Sequence, residues 1–144
     1  MSDCVFCSIV AGTIPSVKVA EDETTLAFMD IDPGAEGHLL VIPKRHSADL
    51  LEIPADDLVA TTLAAQRVAK AAIDGLEADG VNLLNCSGTA AWQTVLHFHL
   101  HVIPRYHDKV NRQDRLELPF EPGRPAEPDT LAQHARLIAA EIVR

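Results

Sequence analysis

Residues 95–103 read Val95-Leu96-His97-Phe98-His99-Leu100-His101-Val102-Ile103, with three histidines in strict alternation with apolar residues. Because side chains alternate between the two faces of a β-strand, this run predicts a strand with the histidines on one face. The opposite face would consist of Leu96, Phe98, Leu100 and Val102. We expect that apolar face to pack against a helix and the imidazoles to lie on the open side of the sheet. The spacing fits either a metal-binding face or nucleophilic and acid–base chemistry.

Four further extended runs predict strands at residues 17–20, 25–31, 38–42 and 81–85. Residues 32–37 have strong turn chemistry, which favours a hairpin between the second and third strands. The sequence therefore predicts a sheet of about five antiparallel strands.

Two amphipathic stretches predict helices. The first spans residues 54–76, after the third strand, with Asp56 and Asp57 at its positive end. The second runs from Pro128 to about residue 143 with an apolar face of Leu131, Ala135, Ile138 and Ile142. We expect both helices to cover the sheet, and residues 106–127, which are charged and rich in proline, to form an irregular surface segment.

Composition predicts one soluble domain over residues 1–144, since 47% of residues are hydrophobic and 23% are charged. A net charge of −9 disfavours DNA or RNA as a partner but permits a mononucleotide held by a few local donors. The start of the chain lacks a signal peptide and no apolar run could span a bilayer, so we expect a cytoplasmic protein with no membrane partner. Three cysteines argue against a disulfide framework.

The histidine run with its flanks, residues 93–105, closely resembles the signature of the histidine triad (HIT) superfamily. The resemblance extends to residues 4–9, 12–15, 28–33 and 37–46, in the order of the family, and covers about residues 4–106. It implies the α+β HIT fold and, through Cys4-x-x-Cys7, the bacterial Hint-like branch. It also implies a hydrolase or nucleotidyl transferase that acts at the α-phosphate of a purine nucleotide derivative.

The resemblance assigns His99 as the nucleophile that forms a nucleotidyl-histidine intermediate. An imidazole needs one anchored nitrogen to present the lone pair of the other, so we expect Nδ1–H of His99 to donate to a backbone carbonyl. His101 and His38 would flank the α-phosphate as hydrogen-bond donors. For His38, which stands alone in the sequence, an ordinary strand-surface position is the competing interpretation.

The resemblance also assigns nucleotide contacts. Asp30 would accept hydrogen bonds from the ribose hydroxyls, although an Asp at a strand end is equally typical of a turn. The base pocket would include Phe28 and Ile31, which could instead be core residues. Contacts to the phosphate or the leaving group would come from Asn85, Gln93 and Thr94.

A structural zinc ion is the implied cofactor, with no organic cofactor. Its ligands would be Cys4, Cys7, His46 and His97, a closed tetrahedral set. A redox C-x-x-C pair is the alternative, disfavoured because we expect neither a strand before it nor a helix after it. Metal-free thiols are the second alternative. Cys86 is interpreted as a small buried hydrophobe.

The predicted activity is hydrolysis of nucleoside phosphoramidates, AMP-NH2 or adenylyl-lysine in type. Hydrolysis of a dinucleoside polyphosphate, a catalytic metal on the His97/His99/His101 face, and a non-catalytic nucleotide-binding scaffold stay open. The resemblance implies a homodimer. Trp92 departs from the family, which usually has glycine there, so the resemblance does not define the shape of the leaving-group side.

Overall fold

A computed structural model gives the structure of residues 3–117 and 123–142. Its elements in chain order are α1 (Val5–Ala11), β1 (Lys18–Glu21), β2 (Thr25–Met29), β3 (Leu39–Pro43), α2 (Ala55–Leu76), β4 (Gly80–Leu84), β5 (Leu100–Arg105) and α3 (Pro128–Ala140). A 3₁₀ turn at Thr89–Ala91 precedes β5. The strands form one sheet in the order β1-β2-β3-β5-β4, and every neighbouring pair is antiparallel. The predicted fold class, with a long helix after the third strand and a C-terminal helix, is confirmed.

The long helix α2 covers one face of the sheet. Alternate strand residues point toward it, as the two-residue period requires. They form a core with α2 that comprises Ala27, Leu39, Val41, Ala64, Ala65, Val68, Phe98, Leu100 and Val102, together with Ile53. The predicted apolar positions of the histidine run therefore pack as expected, except Leu96. Leu96 is 61% exposed.

The short helix α1, which the sequence did not predict, covers part of the opposite face. Phe6 and Ile9 of α1 pack against the other set of alternating strand residues, Leu26, Phe28, Leu40 and Ile42. His101 is paired directly with Leu40, and residues directly opposite one another in antiparallel strands share a face. The histidines and α1 therefore occupy the same side of the sheet.

The expectation of one strand over residues 95–103 is wrong at its start. The ladder between β3 and β5 ends at the Val41–Leu100 pair, and the amide of Phe98 donates to the carbonyl of Ser47 at 2.7 Å instead. The chain therefore bends out of the sheet before Leu100. As a result His97 and His99 are buried rather than displayed on an open face.

The second correction concerns the C-terminal helix. It forms where predicted, but every residue of α3 is exposed, so it does not cover the sheet. The segment after β5 is irregular, as expected, yet Tyr106 and Asp114 are buried in it. Part of the predicted irregular segment, residues 118–122, lies outside the described residues. Within the described ranges, none of the helices combines the length and apolar character needed to cross a lipid bilayer.

Candidate active site

His99 lies at the centre of the site, just before β5. Its side chain is buried, and the Phe6 ring packs nearly perpendicular to it with 5.2 Å between ring centroids. Nδ1 of His99 lies 2.7 Å from the carbonyl oxygen of His97. A carbonyl can only accept, so Nδ1 carries the proton, and the neutral ring has its lone pair on Nε2. The side-chain amide of Asn85 donates to the carbonyl of His99 at 3.0 Å and so fixes the backbone of the same residue.

Burial keeps the His99 ring neutral. Removal from water lowers the pKa of His99, and the hydrogen bond to the His97 carbonyl and the charge of Asp30 offset only part of this effect. The ring is therefore unprotonated on Nε2 at neutral pH. In this state an imidazole can act as a nucleophile.

His38 and His101, called the donor pair below, are joined by a directed hydrogen bond. The backbone N–H of Gly34 donates to Nδ1 of His38 at 2.9 Å, so a neutral His38 must carry its proton on Nε2. Nε2 of His38 lies 2.9 Å from Nδ1 of His101 and donates to it. Nδ1 of His101 is therefore an acceptor, and a neutral His101 has its own N–H on Nε2. The Gly34 amide thus determines which nitrogen of His101 is a donor.

Both rings of the donor pair are neutral at pH 7. Burial, followed by the neighbouring His99 and His38, lowers the pKa of His101 to about 4. Burial also lowers the pKa of His38, against the opposing charges of Asp30 and Asp32. The proton positions given above therefore apply at physiological pH.

Asp30 follows β2 and lies beside the donor pair. Its Oδ1 accepts the backbone N–H of Asp32 at 2.8 Å, as in an Asx turn, and its Oδ2 lies 3.4 Å from Nε2 of His38. Asp30 therefore both forms a turn and lies at the site, so the two interpretations of this residue are compatible. Of the predicted base-pocket residues, Ile31 is 99% exposed, whereas Phe28 is buried in the core against Phe6.

The four predicted metal ligands converge at the other end of the histidine run; they are called the thiol cluster below. One ligand atom from each of Cys4, Cys7, His46 and His97 lies within 4.8 Å of the others. Nδ1 of His97 is 3.4 Å from Sγ of Cys4 and 3.6 Å from Sγ of Cys7, and Nδ1 of His46 is 3.4 Å from Sγ of Cys7.

These distances fit a tetrahedral ion. Zn–S bonds of about 2.3 Å and Zn–N bonds of about 2.0–2.1 Å at tetrahedral angles require sulfur-to-nitrogen separations of about 3.5–3.6 Å. Nε2 of the buried His97 lies 2.8 Å from the carbonyl of Pro43, so Nδ1 is left unprotonated toward the sulfurs. The thiol cluster can therefore hold a metal ion.

The expectation that no helix follows the C-x-x-C pair, which was the argument against a redox role, is wrong. A helix does follow Cys4: Cys4 is the N-cap of α1, its Sγ accepts the backbone N–H of Cys7, and Cys7 lies in the first turn. Burial is the main cause that raises the pKa of the Cys7 thiol, which is the opposite of an activated redox cysteine. The histidine nitrogens beside the sulfurs, rather than the absence of a helix, favour a metal site. Cys86 is buried, as expected.

A second group of possible ligands comprises Asp30, His38 and His101. Here the Gly34 amide places the proton of His38 on the nitrogen that would have to bind the metal, so this group is better suited to donate hydrogen bonds. Within the described residues, His97 belongs to one possible ligand group, His101 to the other and His99 to neither. This division argues against a single catalytic metal on the three histidines.

The remaining predicted contacts have structural partners. The Gln93 amide donates to the carbonyls of Ala48 and Val95 and accepts the N–H of Gly88, so it organises the loop before the triad. Thr94 is exposed and lines a cavity of about 660 Å³ beside the thiol cluster. Asn85 fixes the His99 peptide, as described above. The sequence did not predict the roles of Phe6, Gly34 and Pro43.

Residues 11–108 match the HIT domain family. The chain belongs to the HIT family. Three HIT proteins illustrate the similarity. The adenosine 5'-monophosphoramidase HNT1 of Saccharomyces cerevisiae is 43% identical over 106 residues, which cover 74% of this chain and 65% of HNT1. A crystal structure of a HIT family member from Bacillus subtilis has a TM-score of 0.88 and 37% identity, and covers 99% of both chains.

The third HIT structure is a Zn-bound histidine triad family protein from Mycobacterium smegmatis. It has a TM-score of 0.74 and 41% identity, and the match covers 97% of this chain and 99% of that one. The family and fold predicted from the histidine run are therefore confirmed.

Proposed function

We propose that this HIT protein hydrolyses nucleoside phosphoramidates at the α-phosphate, with His99 as the nucleophile. The observation that carries the proposal is the 2.7 Å hydrogen bond from Nδ1 of His99 to the His97 carbonyl, which leaves Nε2 with a free lone pair. The similarity to a monophosphoramidase supports the choice of substrate class.

In the first step the Nε2 lone pair of His99 forms a bond to phosphorus. The P–N bond of the substrate breaks, its electron pair stays on the leaving amine, and that nitrogen takes up a proton from solvent. The His99 ring is now cationic and is stabilised by its Nδ1–H bond to the carbonyl. In the second step water attacks phosphorus, the bond to Nε2 breaks, and the water proton leaves to solvent, which yields the nucleoside monophosphate.

The donor pair stabilises the phosphoryl oxygens in this proposal. Nε2–H of His101 donates to an α-phosphate oxygen that gains charge in the transition state. His38 orients His101 by donating to its Nδ1. Asp30 accepts hydrogen bonds from the ribose hydroxyls. The base side of the pocket is formed by Ile31 and Phe28. The phosphate side is shaped by Asn85, Gln93 and Thr94.

The experiment that tests the mechanism is mass spectrometry of protein quenched during turnover of an adenosine phosphoramidate. We expect an adenylate on His99, and we expect His99→Ala to lose turnover while still binding AMP. An adduct on another residue, or undiminished turnover by His99→Ala, would contradict the mechanism. AMP binding without any turnover by the wild type would favour the scaffold alternative.

We propose that zinc occupies the thiol cluster in a structural role. A closed set of two thiolates and two imidazoles leaves no position for substrate, and the ion would tie α1 to the sheet. Free cysteines suit a reducing compartment, so the cytoplasm is the proposed location. Metal analysis of the purified chain tests the site, with one zinc per chain as the expected result.

We also propose that the chain is a single domain that forms a homodimer. The outer face of α2 exposes Val59 and Leu63, and the edge strand β4 exposes Val81 and Leu83. Apolar side chains on a helix and an adjacent strand edge favour a second copy as the covering partner. Sedimentation of the wild type and of Leu63→Glu tests this proposal; we expect a dimer and a monomer, respectively.

A further inference from the structure

We propose that Arg115, which lies outside the triad, is a positioning residue that sets His101 as a hydrogen-bond donor through the peptide between Pro33 and Gly34. This inference rests on the proposed function, in which His101 donates to the α-phosphate. It concerns the segment at residues 106–117, called the strap, which follows β5.

The connection runs through one peptide plane. Nη2 of Arg115 donates to the carbonyl of Pro33 at 2.7 Å. The N–H on the opposite side of the same peptide belongs to Gly34 and donates to Nδ1 of His38 at 2.9 Å. All peptide bonds of the described residues are trans, so this C=O and N–H point in opposite directions. The guanidinium, the peptide, His38 and His101 therefore form one chain of hydrogen bonds with a single direction.

The positive charge at the start of this chain has a defined effect. A charge-assisted hydrogen bond to a carbonyl polarises its peptide and strengthens the N–H as a donor, and linked hydrogen bonds reinforce one another. A stronger Gly34 donor favours the form of His38 with its proton on Nε2. That form donates to Nδ1 of His101 at 2.9 Å and leaves the proton of His101 on Nε2, where the proposed mechanism needs it.

The strap is held firmly enough to serve this purpose. The backbone N–H of Arg115 donates to the Gly34 carbonyl at 2.9 Å, so Arg115 donates to two successive carbonyls, those of Pro33 and Gly34. The buried carboxylate of Asp114 accepts Nε of Arg105 at 2.9 Å, and Arg105 ends the same strand that carries His101. A Cβ on Gly34 would lie 3.2 Å from Cδ1 of Leu116, which shows how closely the strap packs on this loop.

Further contacts tie the strap to the loop that carries Gly34. The hydroxyl of Tyr106 donates to the Glu36 carbonyl at 2.8 Å, and Nε of Arg112 donates to the Glu36 carboxylate at 2.6 Å. The contacts form a closed circuit from His101 along β5 to the strap, across to the loop at Gly34, and through His38 back to His101. A packing role alone would not account for the exposed Arg115 at the peptide whose N–H donates to His38.

The test uses three variants of the full chain. Arg115→Ala removes the charged donor, Arg115→Lys retains a cation that can reach the Pro33 carbonyl, and Arg67→Ala is the matched control. Arg67 is also exposed and pairs at 3.5 Å with Asp22, away from the strap. The first measurement is ¹⁵N NMR of the histidine rings at neutral pH without substrate, and the second is steady-state kinetics.

In the wild type and in Arg67→Ala we expect His38 to show an unprotonated Nδ1 and a protonated Nε2. In Arg115→Ala we expect the two resonances to move toward each other as both tautomers become populated. We expect kcat to fall about tenfold with KM little changed, as for supporting residues that act through another group. Arg115→Lys should restore most of both properties.

Unchanged His38 resonances in Arg115→Ala would overturn the inference, as would a wild type in which both tautomers are already mixed. The ring spectra need no substrate, so their outcome does not depend on an adduct at His99. A failure of the proposed function and a failure of this inference are therefore distinguishable.

Discussion

The thiol cluster and the donor pair lie at opposite ends of the site, and their imidazole rings face different backbone groups. In the thiol cluster, His97 donates Nε2–H to the Pro43 carbonyl, so Nδ1 is a bare lone pair between two sulfurs. In the donor pair, Nδ1 of His38 accepts the Gly34 N–H, so Nε2 carries the proton. One main-chain contact thus decides whether a buried imidazole is suited to bind a metal or to donate a hydrogen bond.

The largest expected effect comes from breaking the thiol cluster. Cys7→Ser should lose the proposed zinc and several kcal/mol of unfolding free energy, because the binding energy of a structural metal contributes directly to folding. Asp30→Asn, the matched change beside the donor pair, should retain one zinc per chain. The measurements are metal analysis and urea unfolding. Equal zinc loss in both variants would contradict the distinction between the two ends.

At the donor pair, the expected effect is a pH dependence of stability. Because the folded pKa of His101 is about 4 and the ordinary value is 6.5, the unfolded chain binds more protons between these pH values. Stability should therefore fall as the pH decreases from about 6.5 to 4, by on the order of 2–3 kcal/mol from this group. Urea unfolding at pH 7 and pH 5 tests this, and His101→Gln, which cannot titrate, should show a smaller loss than the wild type.

A smaller effect is expected from His38. His38→Ala removes the donor to His101 and should lower kcat about 10- to 100-fold without loss of zinc, as for other supporting hydrogen bonds at active sites. His38→Gln can place an amide N–H near the position of Nε2 and should retain more activity. Kinetics with parallel metal analysis provides the test; loss of zinc in either variant would show that the two ends are not independent.

The smallest effect is expected at Trp92, which belongs to neither end. Trp92 has φ of 68° and its side chain is 64% exposed. A left-handed conformation costs a non-glycine residue about 1–2 kcal/mol, so Trp92→Gly should be stabilising by up to about this amount, with zinc content unchanged. A decrease in the unfolding midpoint would indicate that the indole makes contacts that outweigh the strain.

Periodicity predicted most of the fold. The two-residue period gave all five strands, and the 3.6-residue period gave α2 and α3 close to their observed bounds. The sequence did not predict α1, because seven residues after a Cys N-cap are too short for a visible period. The departure of the run from the sheet, where the Phe98 amide donates to the distant Ser47 carbonyl, could not be predicted from the run itself.

The candidate site was predicted as a set of side chains with a single proton position, that on Nδ1 of His99. Histidines and cysteines stand out by residue type, so the ligands of the thiol cluster and the three candidate catalytic histidines could be named from the sequence. The groups that orient them are the carbonyls of Pro43 and His97 and the amide of Gly34. Main-chain groups are the same for nearly every residue, and thus only the folded structure reveals their partners.

His97 supplies its ring to the thiol cluster and its carbonyl to the nucleophile. A rotation of this one residue would move both, so the proposed metal site and the proposed nucleophile depend on the same residue. Unfolding of the N-terminal helix α1 would therefore also change the orientation of His99, which follows His97 by two residues.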